Sequence, residues 1–383
     1  MKRFLLPSLV LAGLLQNFSF ATAHAQTRTA PKKKTTTVSA AKRRKPVRKP
    51  SSPAVDPTVG DNVDGEDLSV RRAAVAALGS ENGSIVVVDP ATGRVLSMVN
   101  QKLALQSGFI PCSTIKIVTT LAALSEHVVE PNTAIRISRN VSFDLTNALA
   151  HSNNPYFATL GTRLGFDRVI HYAQMLGLGE KAGLDIPGEQ PGVLPQAPPK
   201  AGGMGLMTSF GEGFQLTPLE LAGLLTGVVN NGTMYYLQYP RTPEESQQIT
   251  PKVKRVLDLS PDGINDLKVG MRSAVDYGTA KRANYDPAEP IFGKTGTCTD
   301  FRAGSHMGWL GSFVDDGAHK LVVVVMLTSP VKSVSGSVAS AVAGNFYRNL
   351  SDQRYFANVN VKKSDLPEII TTTPTPACCD KEK

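Results

Sequence analysis

The β-rich segments of this chain lie at the two ends of one long region, and helical patterns fill the part between them. Near its start, residues 84–100 contain two β-rich runs around a turn with Asp, Pro and Gly, which predicts a hairpin. Near its end, three strands and a closing helix are predicted, at residues 291–299, 307–314, 321–327 and 338–350. Strands from both ends of a region combine most simply in one sheet. The sequence therefore predicts an α+β fold, in which an antiparallel sheet is flanked by helices and an all-helical region is inserted.

Composition divides the 383 residues into four parts. Residues 1–25 have a basic start, an apolar run and a small-residue cleavage pattern, which predicts a signal peptide and export to the periplasm or cell envelope. An uncleaved membrane anchor is the alternative, although the apolar run is short for a membrane span. Residues 26–65 are interpreted as a basic low-complexity linker, residues 66–355 as one domain, and residues 356–383 as a Thr/Pro-rich tail.

The formal net charge of +9 comes from the N-terminal parts of the chain. Positions 26–50 contain ten of the 41 Lys and Arg residues and no Asp or Glu, and the predicted signal peptide contains two more. The 29 basic residues that are left are outnumbered by the 32 acidic ones. No nucleic-acid partner is therefore predicted for the domain. An anionic envelope polymer or a lipid surface is the expected partner of residues 26–50, the alternative being a solvated tether.

Ser113 and Lys116 form a Ser-x-x-Lys pattern at the start of a strongly apolar helix. The same pattern at Ser39 and Lys42 lies in the basic linker, which has no apolar face to bury. The first turn of a buried helix favours developing negative charge, and a partly desolvated lysine loses its proton readily. We therefore predict Ser113 as a nucleophile and Lys116 as its base. The alternative is an N-capping serine beside a solvated lysine.

Ser152 and Asn154 follow one predicted helix and precede another, which places them on a loop. Such a loop can direct the Ser152 hydroxyl into a cleft, where it would relay a proton to a leaving amine. Asn154 can hold a substrate carbonyl or the base. An Asn-Pro turn without any functional role explains the same residues equally well.

The string Lys294, Thr295, Gly296 and Thr297 lies on a predicted strand near the end of the domain. It offers one cation and two hydroxyls to a substrate carboxylate, and a glycine that admits a ligand against the strand. It also offers an edge N–H that would complete an oxyanion hole with the N–H of Ser113.

In this order, the three motifs resemble those of the transpeptidase domain of penicillin-binding proteins, within the superfamily of serine D-Ala-D-Ala acyltransferases and β-lactamases. The resemblance is to class B-like members and covers about residues 68–352. Further family-like strings are GSIVVVDPATGRVLSMV near the start of the domain, GLGEKAGLDIPGE at 177–189, TPLELA at 217–222 and the Gly-Thr-Ala of 278–280.

The resemblance implies a cleft between a sheet and a helical region, with roles for residues of all three motifs. It implies Ser113 as nucleophile, Lys116 as base, Ser152 and Asn154 in the second wall, and Lys294, Thr295 and Thr297 facing the substrate carboxylate. Ser113 would be acylated by the D-Ala-D-Ala end of a peptidoglycan stem peptide or by a β-lactam. Transfer of the acyl group to an amine gives a D,D-transpeptidase, and transfer to water gives a D,D-carboxypeptidase.

Cys112 stands directly before Ser113, where this family often has glycine, and Cys298 lies four residues after Lys294. The spacing resembles that of class A carbapenemases, in which a disulfide joins the two corresponding positions. The resemblance therefore implies a Cys112–Cys298 disulfide, which an exported location permits; two inert thiols are the alternative. Cys378 and Cys379 are adjacent residues of the tail without an assigned role.

Two further functions are compatible with the sequence. A serine β-lactamase needs a base to hydrolyse the acyl-enzyme, and Glu189 is available, although its surroundings indicate a structural loop. A penicillin-binding sensor or wall-binding module without turnover would have the same fold. No metal and no cofactor are expected, because the six His residues are scattered without a paired ligand spacing.

Overall fold

The computed structural model describes residues 56–317, 319–331 and 334–356. The strands are β1 Gly83–Asp89, β2 Arg94–Val99, β3 Ile135–Ser138, β4 Val141–Phe143, β5 Thr233–Tyr235, β6 Val253–Val256, β7 Ile291–Asp300, β8 Ser305–Asp315 and β9 Lys320–Ser329. The α-helices are α1 Leu68–Leu78, α2 Gln101–Ala104, α3 Lys116–Ser125, α4 Leu145–Ala150, α5 Asn154–Leu164, α6 Phe166–Met175, α7 Gly203–Phe210, α8 Pro218–Val229, α9 Pro243–Gln247, α10 Pro261–Asp276 and α11 Gly336–Asp352. Short 3₁₀ helices span Cys112–Ile115 and Lys281–Ala283. The predicted signal peptide, most of the predicted linker, and nearly all of the tail with Cys378 and Cys379 lie outside the described residues.

Five strands form one antiparallel sheet in the order β2-β1-β9-β8-β7. The predicted hairpin is β1–β2, and the three predicted late strands are β7, β8 and β9. The predicted antiparallel sheet and the helical region inserted between its N- and C-terminal strands are thus confirmed. The late strands and the last helix extend one or two residues beyond their predicted ends, because terminal polar residues such as Ser305 also pair with the neighbouring strand.

The sheet is covered on both faces, and alternate residues of its central strands enter two separate cores. One core contains Val86 and Val88 of β1 with Val322, Val324 and Met326 of β9. The other contains Ile85 and Val87 of β1 with Leu321, Val323, Val325 and Leu327 of β9. Helix α8 packs against the first face, and α1 and α11 pack against the second. This double burial explains the unbroken valine run of β9.

The segment before α1 is bonded to the domain through buried polar side chains. The carboxylate of Asp61 pairs with Arg71 at 2.6 Å and accepts the N–H groups of Asn100 and Gln101 at 2.9 and 2.8 Å. Glu66 accepts the N–H of Met98 at 2.8 Å. The sequence interpretation places the end of the linker at residue 65, and the structure shows that its last residues contact the domain.

The helical region surrounds α3, which is buried from Lys116 to Leu124 as the apolar pattern predicts. Helices α5, α6, α7 and α10 contact it. The neighbouring helix α8 begins with a capping box, in which Thr217 and Glu220 satisfy each other's backbone N–H groups. Within the described parts of the chain, no helix combines the length and apolar character that a membrane span requires.

Candidate active site

Ser113 lies at the floor of a cavity of about 440 Å³ between the sheet and the helical region. It belongs to the 3₁₀ turn Cys112–Ile115, which leads directly into α3. The serine is 8% exposed, so its hydroxyl is held by surrounding groups and is still open to the cavity. Residues of all three motifs line the same cavity, including Ser152, Asn154, Thr295 and Thr297.

The amine of Lys116 is surrounded by three oxygen atoms. Its Nζ lies 2.7 Å from Ser113 Oγ, 2.7 Å from Asn154 Oδ1 and 2.6 Å from the carbonyl oxygen of Ser209. The amide oxygen of Asn154 and the carbonyl oxygen of Ser209 can only accept hydrogen bonds, whereas the hydroxyl of Ser113 can also donate one. A neutral amine has two N–H groups and one lone pair, which this arrangement matches if Ser113 donates. The surroundings of Lys116 are therefore suited to accepting the Ser113 proton.

Burial, and to a smaller extent the charge of Lys294, lowers the pKa of Lys116 well below its usual value. Lys116 is 0% exposed, and within the described residues no hydrogen bond to a carboxylate compensates the charge of its ammonium form. The rings of Phe157 and Phe210 lie 5.5 and 5.9 Å from its Nζ. Because desolvation disfavours the ammonium form, it increases the share of Lys116 that is neutral and can act as a base for Ser113.

The carbonyl of Ser209 is a site group that motif reasoning missed. It lies near the C-terminal end of α7, where Gly211 follows the helix with φ +75°. A Cβ at Gly211 would lie 2.4 Å from Pro111 Cγ, so glycine is needed for α7 to approach the turn that carries Ser113. In the sequence, Gly211 is the one hint of this close approach. The Ser209 carbonyl itself leaves no pattern, because every residue has a backbone carbonyl.

The second motif turns sharply between α4 and α5. Ser152 has a positive φ of +53°, and the side chain of Asn153 caps α5 by accepting the N–H of Tyr156 at 2.9 Å. The middle residue is therefore structural, and the flanking residues enter the site. Ser152 Oγ accepts a hydrogen bond from Lys294 Nζ at 2.9 Å, while Asn154 Oδ1 accepts one from Lys116. The predicted loop thus joins the two lysines of the site.

Lys294 is fully buried at the base of the second wall. Burial lowers its pKa from the usual 10.5 to about 7. Its Nζ donates to Ser152 Oγ and, at 3.0 Å, to the carbonyl oxygen of Thr295. The site therefore contains two buried amines whose charges oppose each other, with Ser113 and Ser152 as their respective hydroxyl partners.

Thr295 and Thr297 lie on the opposite side of β7 from Lys294, as strand alternation requires. The hydroxyl of Thr295 lies 2.6 Å from that of Thr279, and the hydroxyl of Thr297 accepts the N–H of Gly336 at 2.8 Å. Both threonines line the cavity, and β7 is the edge strand of the sheet. An unpaired strand edge beside Ser113 provides backbone N–H groups for a ligand.

Gly296 allows the turn that carries Ser113 to pack against β7. A Cβ at this position would lie 2.9 Å from the carbonyl oxygen of Pro111 and 3.2 Å from Cys112 Cβ. The sequence interpretation assigned this glycine to the approach of a ligand. In the structure, the groups that crowd it are the protein's own: the turn before Ser113 and, at 3.1 Å, Trp309 Cβ of β8.

The predicted disulfide joins Cys112 and Cys298, with 5.5 Å between their Cα atoms. It connects the residue before Ser113 to β7 across a sequence separation of 186 residues. Close by, the indole N–H of Trp309 donates to the carbonyl oxygen of Ile110 at 3.0 Å. Both contacts hold the turn that carries Ser113 against the sheet.

We expect reduction of this disulfide to lower the free energy of unfolding by about 3 kcal/mol, because a long loop of the unfolded chain is released. Acylation of Ser113 should also slow by about tenfold, because a small displacement of the attacking oxygen lowers the reaction rate strongly. Thermal unfolding and acylation rates, measured with and without a phosphine reductant, test both effects. The double variant Cys112→Ser/Cys298→Ser is the control, and a reductant effect that persists in it would contradict the assignment to this bridge.

Glu189 lies away from these groups. It is 2% exposed, and its Oε1 accepts the N–H of Gly183 at 3.1 Å. Among the described residues that line the Ser113 cavity there is no Asp or Glu. These observations support the interpretation of Glu189 as part of a structural loop.

The fold agrees with comparisons to known proteins. Residues 83–348 match the family model of the penicillin binding protein transpeptidase domain. The chain therefore belongs to the penicillin-binding protein transpeptidase family.

Relatives with curated descriptions share about a quarter of their residues with this chain. Stage V sporulation protein D of Bacillus subtilis is 28% identical over 313 residues, which cover 71% of this chain and 48% of that protein. Peptidoglycan D,D-transpeptidase FtsI of Escherichia coli K12 is 26% identical over 254 residues, covering 56% and 43%. The chain spans about half the length of the curated relatives it matches.

Solved structures show the same fold. PBP2 of Pseudomonas aeruginosa, in complex with WCK 5153, superposes with a TM-score of 0.63 at 23% identity, covering 75% of this chain and 74% of that one. The TP domain of Burkholderia pseudomallei penicillin-binding protein 3 gives a TM-score of 0.63 at 20% identity, covering 75% and 94%.

Proposed function

We propose that this protein is a peptidoglycan D,D-transpeptidase that forms an acyl-enzyme at Ser113 with D-Ala-D-Ala stem peptides and is acylated by β-lactams. The observation that carries the proposal is the 2.7 Å contact between Ser113 Oγ and the buried amine of Lys116. Relatives described as peptidoglycan D,D-transpeptidases support the substrate class.

In the first step, Ser113 Oγ attacks the carbonyl carbon between the two terminal D-alanines while Lys116 Nζ accepts the hydroxyl proton. The oxygen of that carbonyl becomes negatively charged, and the N–H of Ser113 together with an N–H of the edge strand β7 would stabilise it. Asn154 and the carbonyl of Ser209 keep the lysine lone pair directed at the hydroxyl, since each accepts one of its N–H groups.

In the second step, the C–N bond breaks and the leaving D-alanine takes up a proton. Ser152 Oγ can donate that proton and recover one from Lys294, with which it shares a 2.9 Å hydrogen bond. An acceptor amine then attacks the ester carbonyl and loses a proton through Ser152 to Lys294. The C–O bond to Ser113 breaks, and Ser113 Oγ takes its proton back from Lys116. Water in place of the amine would give a trimmed stem and hence a D,D-carboxypeptidase.

Two assays test this proposal. Wild-type protein treated with benzylpenicillin should gain the mass of one antibiotic, located on the Ser113 peptide, and Ser113→Ala should gain none. A D-Ala-D-Ala donor should then be converted to a cross-linked product when an amine acceptor is present. Unchanged intact mass after prolonged treatment would refute the proposed acyl-enzyme.

The same assays distinguish the alternatives. A trimmed donor without cross-linked product indicates a carboxypeptidase, and catalytic loss of nitrocefin indicates a β-lactamase. Acylation without any turnover of donor indicates a sensor or wall-binding module. The absence of carboxylates from the described lining of the cavity supports slow deacylation rather than β-lactam hydrolysis.

We also propose that the protein acts outside the cytoplasm, in the periplasm or cell envelope, after cleavage of residues 1–25. The supporting observations are the leader pattern in the sequence and the disulfide beside the nucleophile. Residues 26–50 would then contact an anionic envelope polymer or lipid surface. Cell fractionation with N-terminal sequencing tests export, and salt-dependent sedimentation with anionic vesicles or isolated cell walls tests the basic segment.

A further inference from the structure

One lysine of the cavity has no role in the mechanism above. Lys281 lines the cavity together with Thr279 and Thr295. Its side chain is exposed, and no ion pair or hydrogen bond of its amine is found among the described residues. None of the three motifs includes it.

The backbone beside Lys281 is fixed to three parts of the site. The N–H of Thr279 donates to the carbonyl oxygen of Ala150 at 3.0 Å, next to the loop of Ser152. The Thr279 hydroxyl contacts that of Thr295 on β7, and the Ser340 hydroxyl of α11 donates to the carbonyl oxygen of Ala280 at 2.9 Å. The fixed backbone removes the main-chain part of the entropy that is lost when the lysine binds a ligand, so only the side chain has to be ordered.

The charge of the cavity is uncompensated in the part of the chain that the structure describes. Lys281 lines the rim, Lys294 lies buried beneath the surface, and the described lining residues include no Asp or Glu. A cleft with one sign of charge and low-dielectric walls concentrates ligands of the opposite sign. An anionic group is therefore the ligand that this lining would attract.

The hydroxyls near Lys281 can donate to such an anion. Thr297 Oγ1 already accepts the N–H of Gly336, so its own proton is free for a ligand. Thr279 and Thr295 share one hydrogen bond, so one of their two hydroxyl protons also stays free. These hydroxyls are neutral, and the amine of Lys294 is engaged with Ser152 and the carbonyl of Thr295. The accessible full charge comes from Lys281.

We propose that Lys281 is a specificity-determining residue that binds the terminal carboxylate of the acyl-D-Ala-D-Ala substrate, together with Thr295 and Thr297. This inference rests on the proposed function. In this proposal, the carboxylate of a β-lactam binds the same three residues. A β-lactam can therefore serve as the probe.

The test compares a charged probe with a neutral one. Second-order acylation rates are measured by intact mass with benzylpenicillin and with its methyl ester, for the wild type, Lys281→Gln, Lys281→Arg and Arg282→Gln. Arg282→Gln is the matched control, because it removes one positive charge from the next residue, which does not line the cavity. Thermal unfolding of each variant reports whether the fold is retained.

Lys281→Gln should slow acylation by benzylpenicillin about fivefold and leave the rate with the ester nearly unchanged. Lys281→Arg should retain the wild-type preference for the carboxylate. Added salt should slow acylation by benzylpenicillin more in the wild type and in Arg282→Gln than in Lys281→Gln. Salt screens the attraction between Lys281 and the carboxylate, which Lys281→Gln lacks.

If Lys281→Gln slows acylation by benzylpenicillin and by its methyl ester equally, the inference is overturned. An effect that does not depend on the carboxylate would be structural. An unchanged rate with benzylpenicillin would overturn it as well. Failure of the wild type to react with either probe would instead contradict the proposed function. The two failures are therefore distinguishable.

Discussion

Replacement of Lys116 by glutamine is expected to slow the acylation of Ser113 by benzylpenicillin about a thousandfold, which is typical for loss of a general base. Glutamine keeps a side chain of moderate length in the pocket and can still donate to Asn154 and the carbonyl of Ser209. It cannot accept a proton from Ser113 at an accessible pH. The expected loss is therefore one of chemistry rather than of folding.

Time-resolved intact mass spectrometry measures this rate. Lys102→Gln is a suitable control, since Lys102 is an exposed lysine of α2 that does not line the cavity. Thermal unfolding should show that Lys116→Gln is folded, and removal of a buried amine is expected to preserve or raise its melting temperature. A Lys116→Gln rate within tenfold of the wild type would show that another group activates Ser113.

Replacement of Lys294 by glutamine is expected to lower the acylation rate about a hundredfold, because Ser152 loses its charged donor and the cleft loses a cation. The wild-type rate should also depend on pH in a defined direction. The proposed mechanism requires Lys116 neutral and Lys294 charged, and burial lowers the pKa of Lys294 to about 7. The rate should therefore fall as the pH rises above about 7.

Acylation rates measured from pH 5 to pH 10 test this pH dependence. A wild-type rate that rises continuously to pH 10 would contradict the required charge on Lys294.

The free energy of unfolding gives an independent measurement of the Lys294 pKa. Between pH 7 and pH 10.5 the unfolded chain keeps the Lys294 proton that the folded protein releases. Wild-type stability should rise with pH over this window, by up to about 1.4 kcal/mol per unit. Lys294→Gln should lack this component, and parallel curves for the two proteins would contradict the assignment.

The sheet could be predicted from the sequence because its signals are local. Alternation, valine content and turn residues predict β1, β2 and the three late strands, and their position at both ends of the domain indicates one shared sheet. The order of the strands could not be predicted in the same way. The pairing of β1 with β9 depends on contacts between residues far apart in sequence, such as Gly83 and Leu327.

The residues of the site that act through their side chains could be predicted from the sequence. The residues named from the three motifs lie around one cavity or directly beneath it, and the Cys112–Cys298 bridge follows the resemblance. The carbonyl of Ser209 was missed because any residue can supply a carbonyl. Lys281 was missed because an isolated lysine has no distinguishing pattern until the fold places it in the cavity.

Strand β9 is synthesised after every other strand of the main sheet and nevertheless occupies its centre, between β1 and β8. A polypeptide that emerges N-terminus first would display Ser113 and Cys112 long before β7, β8 and β9 are available. Until then β1 and β2 have no third strand, and a two-stranded hairpin is marginal in water. We therefore expect the site around Ser113 to form late in biogenesis, and, under the proposed function, nascent chains that end before residue 291 should be inert towards a β-lactam.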